Sequence, residues 1–200
     1  MSTRFLLRDT TSAIHEQIHR LAVFKLLEKG ELTRPLYAAL LLRFYGFFRP
    51  MEGRLRKAWP LLEPGAPIWR PRSPLLLMDL EALGIGQSEA DCAPAASDLP
   101  EVRSAAATLG CLYVLQGSAL GGRVLARQLD VLFAADSISG RLFFAGDREW
   151  NALAWKSCCD ALETYSTCPN RQTEIIEAAM KTFESFASWF DRFGVEPHRT

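Results

Sequence analysis

The sequence predicts an all-α fold, and three observations carry that prediction. Apolar residues recur at three- and four-residue spacing in one segment after another. Prolines and glycines fall between those segments rather than inside strand-length runs. No stretch of any length alternates apolar and polar residues as a half-buried strand would. Two hundred residues, 48% of them hydrophobic, are enough to bury one core without metal or disulfide staples, so the expectation is a single domain. Lys+Arg and Asp+Glu balance at 23 each, which gives no global field favouring nucleic acid or an anionic membrane. The five cysteines, Cys92, Cys111, Cys158, Cys159 and Cys168, make neither a zinc pattern nor a disulfide framework. With no signal peptide evident, a reducing cytoplasm is expected.

In chain order, the first helix is expected from about Leu7 to Leu27. Leu7, Ile14, Ile18 and Leu21 form its stripe, Thr10, Thr11 or Ser12 offer caps, and Gly30 stops it. A second helix starts at Arg34-Pro35, where proline suits the first turn, and runs towards Trp59. Its Gly46, Pro50 and Gly53 predict a kink or break. Pro60, Pro64, Pro67, Pro71 and Pro74 mark an irregular crossing before a short helix from Leu75 to Leu83. The stretch Gly84–Pro100 reads as loop with one turn, and Pro100-Glu101 opens a long helix reaching about Phe133. After Asp136–Gly140 come Phe143-Phe144, a helix from Arg148 to Tyr165, and a last helix from about Gln172 to Phe193.

The long helix is the unusual one. It carries Gly110, Gly117, Gly121 and Gly122, and each glycine in a helix interior costs about 1 kcal/mol relative to alanine. At 100° per residue, Gly110, Gly117 and Gly121 lie within about 40° of one another. That bare strip would admit either a neighbouring helix or a flat ligand. Nineteen uncharged residues between Arg103 and Arg123 are long enough to cross a bilayer. Their many alanines and four glycines, with Thr108, Gln116 and Ser118, favour a buried helix instead.

His15-Glu-Gln-Ile-His19 satisfies HExxH, the zinc-peptidase pattern, with Glu16 as its base. No histidine follows nearby to complete the site, leaving only Glu28, Glu31 or Glu52 as a third ligand, and only fourteen residues precede His15, leaving no strand-lined cleft. A second reading starts from the helix face. His15 sits at the edge of the apolar stripe with Thr11 beside it, and Arg8 lies two turns earlier, roughly 10 Å along the axis. A neutral imidazole, a cation about 10 Å away and a glycine strip elsewhere suit a planar metallated ring bearing carboxylates. Imidazole is a common axial ligand of heme iron.

Leu7-Arg-Asp-Thr-Thr-Ser-Ala-Ile-His15 resembles the segment that supplies the proximal ligand in heme oxygenases, and Leu112-Tyr-Val-Leu-Gln-Gly-Ser-Ala-Leu-Gly-Gly122 resembles their distal helix, especially in the bacterial branch associated with bacteriophytochromes. The resemblance covers about Leu7 to Phe193. It implies an all-α domain holding heme b, as substrate and cofactor, between a proximal N-terminal helix and a kinked glycine helix. It further implies ring opening with O2 and external electrons to biliverdin, CO and Fe2+. His15 would be the axial ligand, Gly117, Ser118 and Gly121 the catalytic strip, and Arg8, Thr11, Gly122 and Lys156 further heme-binding positions. The implied partners are a ferredoxin or reductase and, for this branch, a bacteriophytochrome receiving the biliverdin. Three positions depart from the family pattern. Ser118 stands where many members have an aspartate, His19 where animal enzymes have a glutamate that orients the imidazole, and Asp160 where an arginine is common. Those departures keep a non-catalytic heme- or tetrapyrrole-binding protein of the same fold as the alternative. A modest basic patch, Arg43, Arg49, Arg54, Arg56 and Lys57, is either a solvated face or a docking site for an acidic electron donor.

Overall fold

A computed structural model describes residues 2–62, 64–133 and 138–194. Among them all regular structure is helical, with no strand. The α-helices are α1 (Thr3–His19), α2 (Ala22–Lys29), α3 (Arg34–Ala58), α4 (Ser73–Ala82), α5 (Gln87–Cys92), α6 (Ala105–Gln128), α7 (Leu142–Ala145), α8 (Arg148–Tyr165) and α9 (Pro169–Asp191). Short 3-10 turns follow α3 and α6.

The first expected helix is two helices. None of Thr10, Thr11 and Ser12 caps its start: the Thr11 hydroxyl donates to the Leu7 carbonyl (2.8 Å) and Ser12 Oγ to the Asp9 carbonyl (2.9 Å), both within the helix. The cap comes from α8. The Glu163 carboxylate accepts from Thr3 N (3.2 Å), Arg4 N (3.1 Å) and Ser2 Oγ (2.5 Å), pairing backbone donors that a helix start leaves free. This also fixes where α1 lies. The helix stops at His19 because Leu21 turns extended (φ −61, ψ 139), redirecting the chain so that α2 buries Val23, Phe24 and Leu27. Gly30, left-handed at φ 68, closes α2 as expected.

The expected break in α3 is absent, and the reason is local. Pro50 has no N–H, so the Gly46 carbonyl four residues earlier loses its helical partner. Ala96 N donates to that carbonyl at 2.8 Å. The missing side chain at Gly46 admits the Pro94 carbonyl so closely that a Cβ there would collide with it. The loop between α4 and α6 therefore completes α3, and it holds the one turn expected there as α5. The long helix opens later than expected, at Ser104, whose Oγ accepts from Ala107 N (2.9 Å). Asp136 and Ser137 of the following segment lie outside the described residues.

The glycine helix α6 is the centre of the packing, lying against α9 and α8, with α1 across α8 and α9. By length and composition it would pass for a membrane span, yet 65% of that stretch is buried within the fold. Two carboxylates on the other side of the molecule act as clamps. Glu52 of α3, 2% exposed, accepts from Arg72 N (2.6 Å), Ser73 N and Ser73 Oγ (2.6 Å), capping α4. Asp79 of α4, fully buried, accepts from Leu142 N (2.7 Å) and Phe143 N (2.8 Å), capping α7. Burial pushes the Asp79 carboxyl up to about 6 against the pull of those two bonds. Through these clamps α3 fixes the Arg72 backbone and α4 fixes the Phe143-Phe144 pair.

Candidate ligand cavity between the first helix and the glycine helix

A cavity of about 760 Å³ opens between α1 and α6, within the size range of small-molecule sites. His15, Thr11 and Arg8 line it from α1, and Gly117, Ser118, Gly121 and Gly122 from α6. The sequence therefore places seven of its eight candidate residues on one cavity. The eighth, Lys156, is not among the lining residues; its ammonium pairs with Asp160 at 2.6 Å on the outer face of α8.

Gly110, Gly117 and Gly121 do not form the single bare strip expected of them. Gly110 is a helix contact, where a Cβ would collide with the Ile175 carbonyl and stand 2.9 Å from the Ala178 Cβ of α9. Gly122 is another, with the Phe144 carbonyl 3.0 Å from its Cβ position. Gly117 meets only the Trp155 ring, at 3.5 Å, and Gly121 has nothing within 4 Å. The open part of the helix is thus Gly117 to Gly121, the stretch that lines the cavity. Gly110 and Gly122 serve helix contacts, whereas Gly117 and Gly121 border the cavity.

On the α1 side, the His15 ring stands 4.7 Å from that of His19 and edge-on to Phe183 at 6.1 Å. Burial, and then the neighbouring His19, lower its pKa below the ordinary histidine value, with Glu16 opposing. His15 is therefore a neutral imidazole at physiological pH, the form that ligates metals. His19 is held in turn by Glu28 of α2, whose Oε1 lies 2.7 Å from its Nδ1. Arg8 sits at the rim, 68% exposed, pairing with Asp9 (3.0 Å) and resting over the Phe5 ring. The Thr11 hydroxyl is committed to its own helix.

Aromatic rings make up much of the remaining wall. Phe44, Phe143, Phe144, Trp155, Phe183 and Phe186 all contribute, so Phe44 is both core, 5% exposed, and cavity lining. One cation stands among them, and it was not foreseen. Arg72, just ahead of α4, sends Nη1 to Ser118 Oγ (2.9 Å) and Nη2 to the Phe143 carbonyl (2.9 Å), with its guanidinium 4.1 Å from the Phe143 ring centre. Ser118 donates its own hydroxyl to the Leu115 carbonyl (2.7 Å). Arg72 lies 46 residues from Ser118, and nothing in their spacing pairs them. The only sequence signal was the serine itself, a weaker polar group than the pattern calls for.

Three of the five residues of the basic patch are engaged in structural contacts, while Arg56 and Lys57 are exposed. Arg43 reaches the Trp189 carbonyl and stacks on that ring, Arg49 pairs with Asp91 (2.7 Å), and Arg54 holds the Leu99 and Pro100 carbonyls.

Fold and site together define an all-α protein in which a histidine of the first helix and an open stretch of glycine helix share one ring-walled cavity. The heme oxygenase family model matches residues 2–192, and the chain belongs to that family. A heme oxygenase of Xanthomonas campestris pv. campestris (strain 8004) is 36% identical over 103 residues, 52% of this chain and 58% of that protein. The chain thus spans a little over half the length of that curated relative. Among solved structures, heme oxygenase from Leptospira interrogans superposes with a TM-score of 0.73 at 20% identity, covering 96% of this chain and 99% of its own. The NO- and CO-bound heme oxygenase of Neisseria meningitidis gives 0.64 at 20% identity, over 100% and 98%. At those identities the likeness is one of fold.

Proposed function

We propose that this chain is a biliverdin-producing heme oxygenase, with the cavity between α1 and α6 as its heme site. The observation that carries the reading is the pairing, in one cavity, of a neutral His15 with the uncovered Gly117–Gly121 stretch, in a chain whose family match runs from 2 to 192. The site fits a flat ring with one axial position. Gly121 leaves open space where any other residue would put a Cβ, and the aromatic walls offer apolar contact.

Bound heme would supply the iron that activates O2 and the porphyrin that is opened to biliverdin, CO and Fe2+. The chain's own residues do the rest. His15 would hold the iron as a neutral ligand, without the electron push that a thiolate would bring. Gly117 and Gly121 let the α6 backbone approach the ring, and Gly122 lets α6 settle on α7 so that this approach is held. Thr11 fills the wall beside His15. Arg8 at the rim would meet a ring carboxylate, whereas Lys156 is paired with Asp160 outside the cavity lining. Phe143, Phe144, Phe183 and Trp155 keep water out. Electrons come from a ferredoxin or reductase, and the product goes to a bacteriophytochrome; a cytoplasmic, single-domain protein fits that role.

The test is to titrate the protein with hemin and then add an electron donor in air. A Soret band that forms and then gives way to biliverdin absorption supports the reading. A stable Soret band without ring opening would instead mark a heme-binding protein of the same fold. Absence of a Soret shift would remove both.

A further inference from the structure

Resting on the heme-site reading above, we propose that Arg72 is the anion-stabilising group of the α6 side of the cavity, taking the place of the acidic residue that Ser118 replaces. The hydroxyl of Ser118 is turned to the Leu115 carbonyl (2.7 Å) and its oxygen accepts from Arg72 (2.9 Å), so Ser118 offers the cavity no strong donor of its own. Arg72 does. Each of its two terminal nitrogens carries a second N–H beyond the bonds to Ser118 and to the Phe143 carbonyl.

The guanidinium is also fixed, and the Glu52 carboxylate of α3 acts on its charge through space without bonding to it. Glu52 binds the Arg72 backbone N–H and Ser73, not the guanidinium, and the two side-chain bonds of Arg72 go to a hydroxyl and a carbonyl. Among the described residues no carboxylate lies in ion-pair contact with it. It rests on the Phe143 ring at 4.1 Å, with Phe48 at 5.4 Å, which orients the charge without cancelling it. A cation held in advance within an aromatic wall strengthens any negative charge that develops beside it, because little reorganisation or water screening intervenes. What it would favour is a small anion bound in the cavity beside it.

The experiment uses the ferric heme complex and measures affinity for azide and fluoride, with neutral imidazole as control ligand. Arg72→Met and Arg72→Gln are expected to weaken azide and fluoride binding by roughly tenfold or more, the scale of a charge-assisted hydrogen bond. Imidazole affinity should change far less. Arg72→Lys, which keeps the charge but loses the two-pronged bond, should restore part of the difference. In the carbonyl complex, removing the positive charge should raise the C–O stretching frequency. Circular dichroism checks that each variant is folded, and the lysine variant keeps the test open if the methionine one is not. If wild type binds heme through His15 but Arg72→Lys, Gln and Met all leave the ratio of azide to imidazole affinity unchanged, the proposal is overturned while the heme-site reading stands. If wild type binds no heme, the heme-site reading itself has failed.

Discussion

Replacing Gly121 with alanine should move two measurable quantities in opposite directions. Gly121 is helical, lies inside α6, and has no atom within 4 Å of the position its Cβ would occupy. In the ligand-free protein the substitution therefore removes only the conformational freedom of glycine, which favours the folded state by about 1 kcal/mol. For a domain of this size that raises Tm by roughly 2–4 °C. With heme bound, the same methyl group occupies the surface against which the ring must lie. Overpacking of that kind costs about 1–3 kcal/mol, a roughly five- to hundredfold loss of affinity. Thermal melts of the ligand-free protein and a hemin titration followed at the Soret band measure both. Gly110→Ala is the control of opposite sign. Its Cβ would run into the Ile175 carbonyl, so the ligand-free protein should lose stability. The reasoning is refuted if Gly121→Ala destabilises the ligand-free fold, or if it binds hemin as tightly as wild type.

His15→Ala should abolish tight axial ligation whereas His19→Ala weakens it only modestly, read from the Soret position; the reverse order would make His19 the ligand. Because burial and His19 lower the His15 pKa, heme ligation should survive acidification to a midpoint below pH 6.5, the ordinary histidine value. A midpoint above that value would contradict the placement. Asp79 provides a stability test. Its carboxyl lies near 6 in the folded protein against an ordinary value of 3.8, so the folded state binds more protons than the unfolded state between those values. Stability due to this group is then highest below pH 4 and falls as pH rises to about 6, by roughly 3 kcal/mol. Urea unfolding of wild type and Asp79→Asn across pH 4–7 should show a difference in stability that changes over that window, and a constant difference would exclude it.

Helix identity and order were legible because periodicity and punctuation are local. The boundaries that moved did so for tertiary reasons. The first helix begins at Thr3 because Glu163, 160 residues away, supplies its cap. α3 stays unbroken through Pro50 because Ala96 pairs the carbonyl that proline abandons. Neither partner can be assigned from the segment it serves. The glycines of α6 make the same point about energy. Their expense was visible in the sequence, but not how it divides between α9 at Gly110, α7 at Gly122 and open cavity at Gly117 and Gly121.

The site divides in the same way. Residues singled out from their position on one helix, His15, Arg8, Gly117 and Gly121, line a common cavity. Two of the three positions where the chain departs from its family's pattern could only be understood in three dimensions. His19 replaces a glutamate, and Glu28 of α2 lies 2.7 Å from its ring nitrogen; an acidic group is therefore still present, one residue further out. Ser118 replaces an aspartate, and Arg72 is bonded to it. The polarity at that point is inverted from anion to cation, so the substitution is not a loss of function at one position but a change in which atom donates. A carboxylate holds water by accepting hydrogen bonds, whereas a guanidinium can only donate. Any oxygen atom stabilised there must itself be the acceptor. A ligand oxygen and a water oxygen alike would accept from Arg72, which is why Arg72, rather than Ser118, is the residue on which the α6 side of this cavity turns.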